Sequence, residues 1–476
     1  MEKLIGRDSE KKLLQEAMDS GEPELIALFG RRRVGKTFLI RQYLHKNLIF
    51  EFVGTRDAKL AGQLASFNRS LGAAAGNPKL YRIPDNWADA FDQLSNFLTS
   101  KLAVQRTVVF LDEFPWLSTH KSGFLPAFDH WWNSWGNKQD NLVVVICGSA
   151  ASWMIQNIVN NKGGLHNRVT RKIRLLPFNL KDTEEFLHAR NVNMDRYTIL
   201  QLYMVMGGIP HYLKEVRKGE SAAQAIDRIC FTKDGLLESE FKNLYSSLFD
   251  DATRHLAIVK TLSSNKSGLT RHEIIEKAGL SSGGTVTALL EELIESGFVT
   301  AWLPYDKKLR DIIYKLSDEF THFYFKFMER KQFLGTGGWL NLSSTPSWRS
   351  WSGIAFERAC LKHIPEIKKE LGISGLNTED ATWRCQPKTG KGAQIDMLFD
   401  RQDFVINLFE MKFSESEFVI DKDYASDLEK KRDIFKEKTK TKKSLYLTFI
   451  TTFNVKDNEY AKRLVQKSIT MDCLFT

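Results

Sequence analysis

The sequence contains no long hydrophobic segment. None of its apolar runs approaches the roughly 18 consecutive residues that a membrane-spanning helix needs. Its first residues, Met1 to Ile5, also lack the apolar stretch that is typical of a secretory signal peptide. We therefore expect a cytoplasmic protein that has no membrane partner.

Cysteine is scarce, and the few cysteines are scattered. The chain has five in 476 residues, and no two of them form the Cys-x-x-Cys spacing that zinc sites often use. The sequence therefore indicates neither a zinc site nor a disulfide framework, and we expect reduced, mostly structural thiols. The five are Cys147, Cys230, Cys360, Cys385 and Cys473.

The composition is not that of a disordered chain. Hydrophobic residues make up 42% of the sequence and charged residues 26%, which are ordinary values for a protein with buried cores. At roughly 100–200 residues per domain, the length predicts about three domains. The net charge of +10 favours polyanionic partners, although most surplus lysines serve only to solvate a surface.

A glycine-rich motif lies between the first predicted strand, Glu24 to Phe29, and a helical pattern that starts at Phe38. It matches G-x-x-x-x-G-K-T. In this motif backbone N–H groups surround phosphates, the lysine reaches the terminal phosphates and the hydroxyl binds Mg²⁺. We interpret it as an ATP site rather than a chance turn. The predicted binding residues are Gly30, Arg31, Arg32, Arg33, Val34, Gly35, Lys36, Thr37 and Phe38.

Polar residues follow two further predicted strands. The strand that starts at Val108 ends in Asp112 and Glu113. Together with the glycine-rich motif, this pattern predicts Asp112 as a carboxylate for Mg²⁺ and Glu113 as the base that orients water toward the γ-phosphate. The apolar strand from Leu142 is followed by Ser149, either a γ-phosphate sensor or a serine that caps the next helix.

These motifs together resemble an AAA-type ATPase of the archaeal and bacterial group whose phosphate-binding loop is rich in arginine. Residues 5–10 resemble the segment that lies beside the adenine in that family, and residues 207–212 resemble part of its helical lid. The resemblance implies a parallel α/β core with a lid.

Arg168, within residues 165–170, matches the arginine that follows the sensor strand in that family. The match implies that its guanidinium stabilises transition-state charge, which requires a closing lid or a neighbouring subunit of a homo-oligomer. Arg171 and Arg174 compete for this role. The alternative is a solvated basic turn.

The middle of the chain resembles a winged helix-turn-helix. Its pattern predicts helices at 256–262, 270–278 and 284–296, followed by a hairpin of residues 298–302 and 312–316. The third helix carries glutamates where a DNA-reading helix normally carries basic or amide side chains. This segment therefore either contacts phosphates through the wing or serves only as a packing module beside the ATPase core. The hairpin tip carries Lys307, Lys308 and Arg310, and the glutamates are Glu291, Glu292 and Glu295.

The last third of the chain carries a second chemical motif. Asp396 lies on one predicted strand, and Glu410 and Lys412 lie on the next, so that the side chains of Glu410 and Lys412 point to the same face. Two carboxylates can hold Mg²⁺, and a lysine can orient water for phosphodiester cleavage. Glu357, on a preceding helix, could complete the metal ligands. The alternative is a salt-bridged hairpin.

This D…E-x-K pattern resembles the PD-(D/E)xK fold of restriction endonucleases, which the same group of ATPases carries at its C-terminus. The predicted fold class is a multidomain α/β protein. Its domains are an AAA-like ATPase core (1–180), a helical lid (181–250), a winged helix-turn-helix (251–318), a linker region (319–347) and a nuclease-like α/β domain (348–476).

Two hypotheses of function follow. The leading one is an ATP-binding, ATP-hydrolysing protein coupled to a metal-dependent nuclease domain, with ATP and Mg²⁺ as cofactors and DNA as a partner. The alternative is a regulatory or signalling ATPase that switches with its nucleotide. Its C-terminal domain would bind DNA or protein without cutting.

Overall fold

The computed structural model describes most of the chain: residues 3–77, 81–119, 121–159, 167–246, 248–249, 251–281, 283–329, 337–385 and 392–476. The chain divides into two compact units. Unit 1 is residues 1–177 with 247–250, and unit 2 is residues 178–246 with 251–476. Within the described ranges, no helix has the length and apolar character needed to cross a bilayer.

Unit 1 alternates strands and helices. Its elements are α1 (Asp8–Asp19), β1 (Glu24–Phe29), α2 (Lys36–Tyr43), β2 (Leu48–Val53), α3 (Leu60–Ala74), α4 (Trp87–Leu102), β3 (Thr107–Asp112), α5 (Phe124–Ser134), β4 (Leu142–Gly148), α6 (Ala151–Met154) and β5 (Arg171–Arg174).

The strands of unit 1 form one parallel sheet in the order β2-β3-β4-β1-β5. Every residue of β1, β3 and β4 is buried, which explains why these strands appear in the sequence as continuous apolar runs. Parallel strands end at the same edge of a sheet. The segments that follow β1, β3 and β4 therefore lie side by side at the carboxyl edge, where open α/β sheets bind ligands.

Unit 2 begins with helices: α7 (Leu180–Ala189), α8 (Arg196–Met206), α9 (Pro210–Leu213), α10 (Ala222–Ile226) and α11 (Glu240–Ser246). The middle segment, residues 252–316, follows with α12 (Ala252–Ser263), β6 (Leu269–Thr270), α13 (Arg271–Ala278), α14 (Gly284–Glu295), β7 (Val299–Trp302) and β8 (Ile313–Leu316).

The middle segment contains the three predicted helices and the predicted hairpin. Its strands form an antiparallel sheet in the order β6-β8-β7. A capping box begins α13: the Thr270 side chain accepts from the Glu273 amide, and the Glu273 carboxylate accepts from the Thr270 amide. Gly279 ends α13 with φ of 64°, a left-handed conformation that glycine adopts without steric cost.

Residues 319–347, which the sequence indicates as a linker region, include two short helices, α15 (Glu319–Phe323) and α16 (Gly338–Leu342). Phe320, Phe323 and Trp339 are almost completely buried. These aromatic side chains therefore contribute to the core of unit 2. The glycine-rich segment around Gly335 lies outside the described residues.

The C-terminal segment, residues 346–476, contains α17 (Pro346–Lys362), α18 (Ile364–Glu370), β9 (Thr378–Cys385), β10 (Ala393–Arg401), β11 (Val405–Lys412), α19 (Lys422–Thr439), β12 (Ser444–Thr451), α20 (Glu459–Leu464) and β13 (Val465–Thr470). Its strands form a mixed sheet in the order β13-β12-β11-β10-β9. The pairs among β9, β10 and β11 are antiparallel, and the others are parallel.

A buried histidine fixes the start of α7 within unit 2. His363 is completely buried, and its Nε2 accepts a hydrogen bond of 2.9 Å from the amide of Leu180. Its Nδ1 lies 2.7 Å from the carbonyl oxygen of Ala359, so these partners assign the proton to Nδ1 in the neutral ring. Burial lowers the pKa of His363 to about 4. Between about pH 4 and pH 6.5, the imidazole is therefore neutral in the folded protein and protonated in the unfolded chain.

We expect acidification to weaken this part of unit 2. Because the folded pKa lies below the ordinary value of 6.5, the stabilisation is complete above about pH 6.5 and is lost as the pH falls toward 4. The protection factor of the Leu180 amide in hydrogen exchange should fall by up to about tenfold per pH unit in this range. His363→Gln should flatten the profile, and His188→Gln, at an exposed position, should not. A flat wild-type profile would contradict the assignment.

Candidate functional site

The loop that follows β1 depends on unusual backbone conformations. Gly30 and Gly35 have φ of 150° and 95°, and Arg33 has φ of 71°. A Cβ atom added at Gly30 would lie 2.2 Å from the carbonyl oxygen of Leu175, so only glycine fits there. Gly35 immediately precedes α2. The loop therefore delivers the amide groups of a helix N-terminus to the carboxyl edge of the sheet, a favourable place for an anion.

Lys36 lies inside this loop. Its side chain is buried, and its Nζ donates to the carbonyl oxygens of Gly30 at 2.9 Å and Arg31 at 3.0 Å. Two backbone acceptors thus hold the ammonium group inside the curve of the loop. The first turn of α2 also contains Thr37 and Phe38. This is the location that a phosphate-binding lysine requires.

Thr37 and Asp112 meet across the sheet edge. The Thr37 hydroxyl donates to Oδ2 of Asp112 at 2.6 Å, and Asp112 is buried at the end of β3. A hydroxyl and a carboxylate at this separation are the hard oxygen ligands that Mg²⁺ takes beside substrate phosphates. The predicted pair of residues therefore fits Mg²⁺ at this site.

Glu113 follows Asp112 in a left-handed conformation, with φ and ψ both 46°. Its amide donates to Oδ1 of Asp112 at 2.9 Å. Its carboxylate accepts from the Ser149 hydroxyl at 2.8 Å and 3.1 Å. The sequence indicated Ser149 as a γ-phosphate sensor or a helix cap, but its hydrogen bonds go to Glu113. Such a contact orients the carboxylate of the candidate base.

We expect Ser149→Ala to lower the rate of ATP hydrolysis about tenfold, because one hydrogen bond to a charged group that aligns a base contributes about this much. The KM for ATP should change little, and Ser149→Thr should restore the rate. Ser134→Ala, at an exposed position on α5, is the matched control in steady-state assays. Faster hydrolysis by Ser149→Ala would show that the hydrogen bond restrains Glu113 instead.

Arg7 supports the loop, and the sequence interpretation missed this role. Its guanidinium is buried and donates to the carbonyl oxygens of Val34 at 3.0 Å and Leu176 at 2.6 Å. It thus connects the start of α1 to the phosphate-binding loop and to the end of unit 1. The pattern of residues 5–10 predicted a position beside the adenine, but it did not predict these two hydrogen bonds.

Arg168 is exposed in a turn that precedes β5. Leu165 and His166, two other residues of the segment matched in the sequence, lie outside the described residues. Arg171, one competitor for the arginine role, forms ion pairs with Glu24 at 3.1 Å and with Glu16 at 3.2 Å. These pairs favour a structural role for Arg171, which leaves Arg168 and Arg174 as candidates.

Comparison with known proteins identifies this region. Residues 4–216 match a family model described as an ATPase domain predominantly from Archaea. The region has a P-loop ATPase-like α/β fold with a parallel sheet. The matched residues include the phosphate-binding loop, Asp112, Glu113 and Ser149, so the family supports nucleotide binding and ATP hydrolysis by this chain.

Two similar proteins extend beyond the ATPase domain. An uncharacterised protein of Methanocaldococcus jannaschii is 24% identical over 370 residues, which are 77% of this chain and 78% of that protein. The structure of a Walker-type ATPase of Pyrococcus abyssi is 17% identical with a TM-score of 0.51, covering 68% of this chain and 96% of the other. At this identity, the structural similarity shows the fold alone.

A second group of charged side chains lies in the C-terminal segment, outside the ATPase domain. Leu398 pairs with Leu408 in the β10–β11 hairpin. Asp396 and Glu410 each lie two residues beyond that pair, at the same end of the hairpin, where the pairing of β10 with β9 shifts in register between Ile395 and Leu398. The charges of Asp396, Lys412 and Glu410 all act on Glu357 of α17. The structure therefore brings the four predicted residues together.

Glu410 is buried and has three polar neighbours. It accepts a hydrogen bond of 2.8 Å from Tyr424 and forms ion pairs with Lys431 and, at 3.5 Å, with Lys412. Burial opposes its ionisation, but Lys431 and Lys412 outweigh burial and hold the pKa of Glu410 below its ordinary value. Neither Tyr424 nor Lys431 was predicted from the sequence as part of this site.

The pKa of Glu357 is shifted in the opposite direction from the pKa of Glu410. Burial and the nearby charge of Asp396 raise the pKa of Glu357 to about 7, although Lys412 and Lys315 oppose the shift. A carboxyl group with such a pKa can be present in both protonation states near neutral pH. This property is common among groups that transfer protons in active sites.

Lys315 joins this group from β8 of the middle segment. It is 9% exposed, and its Nζ lies 3.9 Å from Oδ1 of Asp396. Burial lowers its pKa, whereas Asp396 and Glu357 act in the opposite direction. No sequence pattern predicted this residue, because its position depends on contact between two segments that are about 80 residues apart in the chain.

The carboxylates fit a hard cation in type. Asp396 and Glu410 supply oxygen atoms, and Mg²⁺ often takes only one or two carboxylates, with water and substrate phosphates as its other ligands. In the part of the chain that the structure describes, no cluster of three or more Asp, Glu, His or Cys side chains could hold a metal. Any metal here would depend on such outside ligands.

Proposed function

We propose that the chain hydrolyses ATP and couples its nucleotide state to a metal-dependent nuclease site for DNA in the C-terminal segment. The observation that carries this proposal is that the charges of Asp396, Glu410 and Lys412 all act on Glu357, while Lys412 pairs with Glu410 at 3.5 Å. This combination of two carboxylates and a lysine suits phosphodiester cleavage.

In the ATPase domain, Lys36 binds the terminal phosphates, and Glu113 orients water and accepts its proton. Mg²⁺ held by Thr37 and Asp112 would neutralise developing charge on the phosphates. Arg168 adds positive charge when a neighbouring subunit or a closing lid brings it near, which makes a homo-oligomer part of the proposal.

In the C-terminal segment, a cation on Asp396 and Glu410 would polarise the scissile phosphate. Lys412 orients the attacking water and stabilises charge in the transition state. Glu357, whose pKa is about 7, is placed to accept or donate the proton. The middle segment serves as a winged helix that contacts phosphates, and the restriction endonuclease-like fold supplies the hairpin.

A specific observation favours a second candidate. The ion pairs of Lys431 with Glu410 and of Lys315 with Asp396 partly neutralise the carboxylates without a metal. Such a site could bind DNA or protein without cutting, which would make the chain a regulatory ATPase that switches with its nucleotide.

Incubation of supercoiled plasmid and single-stranded DNA with the purified chain decides between the two candidates. The leading proposal predicts cutting with Mg²⁺ or Mn²⁺, a changed rate when ATP is present, and no cutting by Glu410→Ala. Cutting that Glu410→Ala retains points to a contaminating nuclease. If wild-type protein cuts neither substrate under any of these conditions, the regulatory ATPase is the better account.

A further inference from the structure

A cavity of about 570 Å³ opens beside the acidic hairpin edge, within unit 2. Its walls come from two segments. The turn after α12 contributes Lys266 and Ser267, and the C-terminal segment contributes Glu357, Asp396, Lys430 and Lys431. Two of the four predicted nuclease residues, Glu357 and Asp396, are thus among the described residues that line this recess.

The wall from the middle segment is fixed by polar contacts. Ser267 donates to Oε1 of Gln394 at 2.5 Å, and Nε2 of Gln394 donates to Asp396 at 2.6 Å. Two further contacts hold the same segments together: the Tyr305 amide donates to the Thr382 carbonyl at 2.7 Å, and Arg384 pairs with Glu273 at 3.3 Å. These contacts form the wall within the protein itself, before any ligand binds.

The size of the recess limits what can enter. Its volume lies in the range of pockets that enclose a small ligand, about 300–1,000 Å³. A duplex binds across an extended surface of about 1,000–2,500 Å², and enzymes that reach inside one must first extrude a nucleotide from the stack. A single strand does not require this extended surface, and its nucleotides do not have to be extruded from a duplex. Neither restriction therefore excludes it.

The recess contains charges of both signs. Lys266, Lys430 and Lys431 line it together with Glu357, Asp396 and Asp427, and among the described residues that line it none is aromatic. The lysines can contact phosphates, and the cation proposed above would offset the carboxylates. Binding should therefore rest on phosphate contacts rather than base stacking, which makes it independent of sequence and sensitive to salt.

We propose that this recess accepts a single nucleic-acid strand, and that the wall formed by Lys266 and Ser267 excludes an intact duplex. The proposal rests on the nuclease function proposed above, because it names the substrate class of the same site. It assigns to the middle segment a role in selecting the substrate's form rather than its sequence.

The test measures binding of the full chain to a labelled oligonucleotide and to its blunt duplex by fluorescence anisotropy, with Ca²⁺ in place of Mg²⁺. At about 0.15 M salt, the single strand should bind at least about tenfold more tightly. Lys266→Glu should weaken single-strand binding about tenfold, because it reverses a charge at the recess. Lys218→Glu, at an exposed position, should not change it. Both lysines are exposed, so neither change removes a buried contact.

The outcomes separate this inference from the function on which it rests. Equal or tighter binding of the duplex overturns the inference, as does equal binding by Lys266→Glu and Lys218→Glu, or the absence of binding to either nucleic acid. Cutting is then measured in Mg²⁺. A single strand that binds through Lys266 but is never cut leaves the inference standing and contradicts the nuclease. If duplex is cut as fast as single strand, the nuclease is supported and the inference is contradicted.

Discussion

Replacing Glu113 with glutamine should slow ATP hydrolysis about 10²–10³-fold and leave ATP affinity nearly unchanged. The amide can still accept the hydrogen bond from Ser149, so the side chain should keep its position. It can no longer accept a proton from water, which is why the rate falls and binding does not. Single-turnover hydrolysis, together with a fluorescent-nucleotide binding curve, measures both quantities.

Two further variants serve as comparisons for this result. Lys36→Ala should lose nucleotide binding itself, because it removes the ammonium group that the carbonyls of Gly30 and Arg31 hold in the loop. Glu22→Gln, at an exposed position in unit 1, should behave as wild type. If Glu113→Gln hydrolyses ATP at the wild-type rate, another residue acts as the base.

The second large effect is expected at Lys412. Lys412→Met should lower the rate of DNA cleavage about 10²–10⁴-fold, because the variant keeps the length of the side chain and loses the charge that orients water. ATP hydrolysis measured without DNA should be unaffected, since Lys412 lies outside the ATPase domain. Plasmid nicking under single-turnover conditions provides the measurement.

Lys456→Met is the matched control, because it removes an exposed lysine of the same segment. It should cut at the wild-type rate. Equal losses in Lys412→Met and Lys456→Met would indicate a general electrostatic contribution to DNA binding, and would contradict a specific role for Lys412.

The ATPase site was predictable because its motif is local. Gly30 to Thr37 is a continuous stretch between a buried strand and a helix, and such a stretch has few structural solutions. Asp112 and Glu113 follow a second buried strand, and parallel strands end at one edge. Their proximity to the loop therefore follows from the fold class.

The contacts that modify these sites were not predictable from patterns. The hydrogen bonds of Ser149 to Glu113 and of Arg7 to Val34 depend on side-chain orientation, which a periodic pattern does not encode. In the C-terminal segment, the hairpin of β10 and β11 carries both Asp396 and Glu410. The approach of Lys315 and Lys431 depends on packing between segments that are distant in sequence.

The region 319–347 shows why composition alone was insufficient. The sequence contains a glycine-rich segment around Gly335, which is typical of a linker, yet Phe320, Phe323 and Trp339 are buried. Burial of large aromatic side chains contributes strongly to a core. The aromatic residues of this region were therefore the better guide to its structure.

The most direct test of the proposed second site is a calorimetric titration of Mn²⁺ into the Lys36→Ala variant without nucleotide, beside the same variant carrying Asp396→Asn. Lys36→Ala removes nucleotide binding, so the Mg²⁺ site of the ATPase domain lacks its phosphate ligands, and a loss of binding with Asp396→Asn assigns the metal to the C-terminal segment. The account predicts about one Mn²⁺ per chain, lost with Asp396→Asn, as expected for a metal held by carboxylates. No binding, or binding that Asp396→Asn leaves unchanged, would contradict a metal-dependent nuclease at this hairpin.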